Sequence, residues 1–169
     1  LAAVVLCAGK GTRMKSSPDG SAFATAKVLQ PLLGRPMAWY PLRLAFELEA
    51  QKVVAVVGKG SDQVRAAFAG SGWDFVEQPE RRGTADAVMR AVPWFERFDG
   101  DVLVLAGDVP LLKGSTLRVL REACHKAGAA VSVLTASLPD PKGYGRILRD
   151  AAAAFTGIGI LSRGADSIT

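Results

Sequence analysis

Ala2-Ala3-Val4-Val5-Leu6 runs directly into Cys7-Ala8-Gly9-Lys10-Gly11-Thr12-Arg13, an apolar pentad followed by a glycine-rich basic loop. A short apolar run without polar alternation reads as a strand buried on both faces. Glycine-bearing loops that leave such strands can turn their amides toward an anion. The loop is not a P-loop, because no Gly-Lys-Ser/Thr follows four intervening residues. Nor is it a dinucleotide fingerprint, since Met14 stands where the third glycine belongs.

Working outward, the pattern recurs. Lys52–Val57 and Asp101–Ala106 carry the same unbroken apolar runs and read as buried strands, with Trp73–Glu77 a shorter one. Helix-period segments lie between them. Pro36 is expected to open a helix to about Ala50, Ser61-Asp62 to cap one to Ala69, and Thr84 to cap one that Pro93 ends or kinks. A helix from about Ser115 to Ala127 places Leu117, Leu120, Cys124 and Ala127 along one stripe, with Gly128 as its stop. Ala129–Leu138 is expected as a further strand, and Arg146–Arg149 and Ile158–Leu161 as edge strands. Lys15–Ala26 reads as a loop. Repeated β-α-β units require right-handed crossovers and a mostly parallel sheet covered on both faces, an α/β fold. Ligands of such sheets sit beyond the carboxyl ends of the strands, where the strand order reverses. The first loop and Asp108 both lie at such ends.

Composition narrows the possibilities. The chain has 169 residues, 49% hydrophobic and 22% charged. That is too apolar for disorder, and no apolar stretch approaches the ~18 residues a membrane span needs. One domain is the default at this length. Two distant cysteines, Cys7 and Cys124, form neither a disulfide framework nor a metal motif, so a reducing, cytoplasmic setting is expected. No signal peptide is visible, and a start at Leu1 reads as a trimmed end. His125 is the single histidine, which rules out sites needing two, and its place near a helix C-terminus gives it a dipole-complementing role. The net charge of +5 is scattered, without a basic block or interleaved aromatics. No nucleic-acid partner and no membrane are expected; a small polyanionic substrate would use the same excess charge.

Leu6-Cys7-Ala8-Gly9-Lys10-Gly11-Thr12-Arg13-Met14 followed by Lys27-Val28-Leu29 resembles the signature of sugar-1-phosphate nucleotidylyltransferases. Gln78 before Gly83-Thr84, then Gly107-Asp108-Val109-Pro110 and Gly143-Tyr144-Gly145-Arg146, follow in the same order. Together they resemble the uridylyltransferase domain of the bacterial bifunctional N-acetylglucosamine-1-phosphate uridylyltransferase/glucosamine-1-phosphate acetyltransferase family. The resemblance implies a Rossmann-like, three-layer α/β/α nucleotidyltransferase fold over residues 1–169 with a mostly parallel mixed sheet. It implies that UTP and N-acetylglucosamine-1-phosphate become UDP-N-acetylglucosamine and pyrophosphate by in-line attack on the α-phosphate. Such a reaction needs positioning and charge neutralisation more than a covalent nucleophile.

Residue roles follow from the same resemblance. Arg13 would hold the β- and γ-phosphates and Lys27 would neutralise the α-phosphate region. Asp108 would bind Mg²⁺, an ion content with few protein carboxylates plus substrate oxygens and water. Leu6, Ala8, Gly9, Gly11, Thr12, Gln78, Gly83 and Thr84 would contact the nucleotide; Gly143, Tyr144 and Gly145 would line the sugar pocket. Full-length relatives are trimers held largely by an acetyltransferase domain, which is not in this sequence. The sequence also departs from the pattern. Lys15–Ala26 is a long spacer and Ala26 replaces a proline; Arg81-Arg82 replace Gln-Leu, and Asp86 replaces a histidine. A sugar-contacting Glu/Asn segment after Phe155-Thr156-Gly157-Ile158 is missing, so the domain is expected to be incomplete at its C-terminal part. Three rivals stay open: another nucleotide or phosphorylated acceptor, a catalytically dead nucleotide-binding module, and a dehydrogenase, which the missing third glycine disfavours.

Overall fold

Strand β1 (Ala2–Leu6) is almost wholly buried because it lies at the centre of a sheet with helices on both faces. The computed structural model describes residues 1–9, 26–58, 61–80, 82–140, 144–153 and 155–159. It divides the chain into two compact units, Leu1–Glu122 and Ala123–Thr169. In the first, β1 precedes a 3-10 turn (Lys27–Leu29), a ribbon of β2 (Pro31–Leu32) and β3 (Arg35–Pro36), helix α1 (Trp39–Glu47) and β4 (Lys52–Gly58). Then come α2 (Asp62–Ala67), β5 (Asp74–Gln78), α3 (Thr84–Ala91), a 3-10 turn (Val92–Phe95) and β6 (Val102–Ala106). Helix α4 (Gly114–Lys126) spans the boundary between the units. No helix among the described residues is long and apolar enough to cross a membrane.

The central sheet has the order β5-β4-β1-β6, with every pairing parallel. From β1 the chain steps outward through β4 to β5, then returns to the other side of β1 to form β6. Right-handed crossovers demand that the connecting helix change face when the direction reverses. It does. Ala3, Val5, Val53, Ala55 and Val57 pack with Leu42 and Ala45 of α1, Val64 of α2 and Leu117 of α4. Val4, Val54 and Val56 point the other way, onto Ala87 and Ala91 of α3. The alternating residues of each strand therefore feed two cores, which is why these strands show no polar alternation. The α/β/α layering expected from the sequence is present.

Several local expectations are corrected. Pro36 does not open α1. Leu33 and Gly34, at φ 48° and 78°, form the kind of two-residue turn that matches the twist of a hairpin. The ribbon then continues through Met37 N–H to Gln30 O (2.9 Å) and Ala38 N–H to Val28 O (2.8 Å), so the chain is released into a helix only at Trp39. Ser61 occupies the N-cap of α2 but its hydroxyl donates to Gly58 O instead of capping. Gly83, at φ 100°, takes the N-cap of α3, and Thr84 is its first helical residue. Pro93 ends α3 as expected, and Gly128 at φ 58° stops α4.

Two strand expectations also change. β6 lies at an edge of the described sheet, with Val102 and Val104 42% and 45% exposed, because an apolar run does not say whether both neighbours are present. Residues 129–138 form no strand: Val131, Val133, Leu134 and Leu138 are all exposed, and a strand without a ladder partner has nothing to satisfy its backbone. The second unit instead pairs β7 (Arg146–Arg149) with β8 (Phe155–Gly159), antiparallel with an irregularity at Leu148/Arg149. Phe155–Gly159 overlaps the expected 158–161 segment, whose last two residues lie outside the described ones.

Candidate active site

The reversal in strand order falls between β1 and β6. Leu6 stands opposite Ala106 in the register, so both strands end at one level. Beyond that level Gly107 N–H donates to Leu6 O (2.9 Å), and Cys7 N–H donates to Val56 O (2.7 Å). Asp108 is thereby presented at the carboxyl edge, beside the start of the Cys7-Ala8-Gly9 loop. Lys27 arrives from the 3-10 turn, whose Val28 is buried in the core beneath it. Its Nζ donates to Asp108 Oδ2 at 2.6 Å, across 81 residues of sequence. Both side chains remain partly exposed, so the pair contributes ~1 kcal/mol or less to stability. Its importance is positional: an anionic and a cationic group share the switch point of an α/β sheet.

Gln78 closes β5 two residues past the level of Leu6, since Val76 pairs with Val56 and Val56 with Leu6. It is the one buried polar side chain among the described residues, at 3% exposure. Its Nε2 donates to Gly83 O (3.1 Å) and to Asp86 Oδ2 (2.7 Å). Arg90, one turn along α3, donates to Asp86 Oδ1 (3.1 Å). The amide of Gln78, and then the Arg90 guanidinium, hold the Asp86 carboxyl below its ordinary range.

Cys7, the first residue after β1, is a free and buried thiol. Burial, reinforced by the negative charge of Asp108, pushes its thiol up to about 12. The thiolate is the reactive form. In the folded protein at pH 8, iodoacetamide is therefore expected to label Cys124 and spare Cys7, with both labelled after denaturation. Mass spectrometry of the peptides checks this; rapid labelling of Cys7 in the native state would contradict its burial.

Of the residues expected to act, the structure brings Leu6, Ala8, Gly9, Lys27, Gln78, Gly83, Thr84 and Asp108 into the first unit, at or following the carboxyl ends of its strands. Tyr144 and Gly145 belong to the second unit, where Arg146 donates to Tyr144 O (3.2 Å). Gly11, Thr12, Arg13 and Gly143 lie outside the described residues. Among those described, no group of three or more His, Cys, Asp or Glu side chains could hold a metal by itself. Asp108 alone suits an ion that takes its other ligands from substrate and water. Sequence reasoning missed the attachment of Asp86 to Gln78. The four-residue spacing of Asp86 and Arg90 was a visible helix-pair signal, but the loop that folds Asp86 back onto β5 was not.

A family model described as the MobA-like NTP transferase domain matches residues 3–167. The chain belongs to this family. It is 49% identical over 156 residues to the bifunctional protein GlmU of Anaeromyxobacter sp., covering 90% of this chain and 30% of that protein. GlmU of Pelobacter propionicus is 48% identical over 154 residues, covering 90% and 32%. The chain thus spans about three-tenths of the length of these relatives. Among solved structures, a nucleotidyl transferase from Methanothermobacter thermautotroptrophicus superposes with a TM-score of 0.61 at 27% identity, covering 72% of this chain and 56% of that one. The fold and the family place this MobA-like domain among the nucleotidyltransferases.

Proposed function

We propose that this domain transfers a uridylyl group from UTP to N-acetylglucosamine-1-phosphate. The observation that carries the reading is the meeting of Lys27 and Asp108 at the switch point, beside the loop that leaves β1. The likeness to GlmU proteins over nine-tenths of the chain supports the choice of substrates. An acceptor phosphate oxygen attacks the α-phosphorus of UTP; a new P–O bond forms, the bond to the bridging oxygen breaks, and pyrophosphate leaves with that electron pair. Lys27 neutralises charge at the α-phosphate, and Arg13 holds the leaving phosphates. The Ala8-Gly9 backbone and Gln78, Gly83 and Thr84 receive the base, while Gly143, Tyr144 and Gly145 receive the sugar. Asp108 would hold Mg²⁺, which when bound stabilises the charge developing on the phosphate oxygens. The donor set fits, being a single partly exposed carboxylate facing the ligand edge of the sheet. We take the cytoplasm, where UTP is available, as the setting of this reaction.

The test is pyrophosphate release from UTP plus N-acetylglucosamine-1-phosphate, with and without Mg²⁺. Release that needs both acceptor and metal is the expected outcome. Absence of release in the presence of bound UTP, or equal release with unrelated phosphorylated acceptors, would overturn the assignment.

A further inference from the structure

We propose that Asp86 is a positioning residue that locks the amide of Gln78 with its carbonyl toward the nucleotide base, and so selects bases with a ring N–H at that edge. The proposal rests on the reading above that Gln78 faces the base. It begins from a choice every glutamine has, because the two ends of its amide are nearly identical in shape and opposite in hydrogen-bonding character. Which end points where is dictated by the neighbours.

Here the neighbours leave one orientation. Nε2 has two hydrogens, and the structure gives it two acceptors, Gly83 O at 3.1 Å and Asp86 Oδ2 at 2.7 Å. A backbone carbonyl can only accept, and an ionised carboxylate can only accept. Turning the amide over would break both bonds and set Oε1 against two oxygens. Gln78 is almost fully buried, so water would not make good the loss. Asp86 is itself held in place from the far side by Arg90, and like any carboxylate it is an ionised acceptor throughout the neutral range. Gly83, the other acceptor, is fixed by its place as the cap of α3, in a left-handed conformation that suits glycine.

Both donors of Gln78 are thus committed within the protein, while neither bond uses Oε1. No sealed side-chain oxygen or nitrogen among the described residues lacks a partner, and with both hydrogens of Nε2 spent, Oε1 is the polar atom of this side chain left for a ligand. What Gln78 can offer a ligand is a lone pair. Uracil presents N3–H at its pairing edge and satisfies it. Cytosine presents the lone pair of N3 at the same place and opposes it. Were the amide free to turn, either base could be met, and the discrimination would vanish.

The experiment measures equilibrium affinities of the whole chain for UTP, CTP and pyrophosphate, with Asp86→Asn, Asp86→Glu and Gln78→Ala beside the native protein and circular dichroism as the check on folding. Asparagine can donate to a turned Gln78 carbonyl and so loosens the lock, which Gly83 O then holds alone; glutamate keeps an acceptor and preserves it. The native chain should prefer UTP over CTP by about tenfold or more, the worth of one hydrogen bond made or opposed. Asp86→Asn should narrow that ratio several-fold without altering pyrophosphate affinity, and Asp86→Glu should retain it. A ratio unchanged in Asp86→Asn but lost in Gln78→Ala would overturn the lock and leave the base contact standing. A ratio unchanged in Gln78→Ala, or absent in the native chain, would overturn the base contact and the lock together. An equal loss for all three ligands would assign Asp86 a structural role only and overturn the proposal.

Discussion

Asp108→Asn is expected to lower pyrophosphate release by about 10²–10³-fold, the scale set by removing one group that stabilises transition-state charge. Asparagine matches aspartate in shape but carries no charge, so it is a poor ligand for a hard cation. It also leaves the Lys27 ammonium without its counter-ion, 2.6 Å away in the native protein. The fold should barely respond. Asp108 is 41% exposed, its ion pair is solvated, and the turn that carries it is held by Gly107 N–H on Leu6 O rather than by its side chain. Activity and stability therefore separate: a large fall in rate with a change of ~1 kcal/mol or less in unfolding free energy. Steady-state assays and urea melts on the same preparation read both. A native rate in the mutant would remove Asp108 from the chemistry, and a matching collapse of stability would make the loss uninformative about metal.

How far the sequence anticipates this arrangement depends on the range of the interaction. The apolar runs of β1 and β4 report their burial directly, because each residue position feeds one of two cores and none tolerates water. The run of β6 looks the same on paper and behaves differently, since its outer side has no neighbour among the described residues. Val131 and Val133 carry strand propensity, yet propensity supplies no ladder partner, and the segment stays outside any sheet and exposed. Pro36 shows a local signal outweighed by another local signal: the Leu33-Gly34 turn draws it into a ribbon before helix geometry can start. At the site, the motifs mark Lys27 and Asp108 separately, but only the end of β6 and the 3-10 turn seated on the core through Val28 together bring them to 2.6 Å. The Gln78–Asp86 bond is harder still to foresee, because it depends on how a loop with Gly83 at φ 100° returns the chain to the strand it has just left.

Gly107→Ala is expected to destabilise the domain by about 1–3 kcal/mol, the ordinary cost of overpacking a well-filled interior, and to slow it as well. A Cβ at position 107 would lie 2.7 Å from Leu6 O and 2.9 Å from Cys7 Sγ, both closer than real contacts allow. The thiol could swing aside. The carbonyl could not, since Leu6 is the last residue of a central strand paired on both sides. Relief must then come from the Gly107-Asp108 turn, which shifts away from β1, weakens the Gly107 N–H bond to Leu6 O, and carries the Asp108 carboxylate with it. A displacement near 1 Å can cost on the order of 100-fold in rate. The glycine is thus required for close approach, not for an unusual backbone angle. Adding Cys7→Ala separates the two walls: it removes the sulfur contact and leaves the carbonyl one, so only partial recovery of stability and rate should follow. Complete recovery in the double mutant would show that sulfur alone set the limit, and a neutral single mutant would show that the turn has more room than 2.7 Å implies.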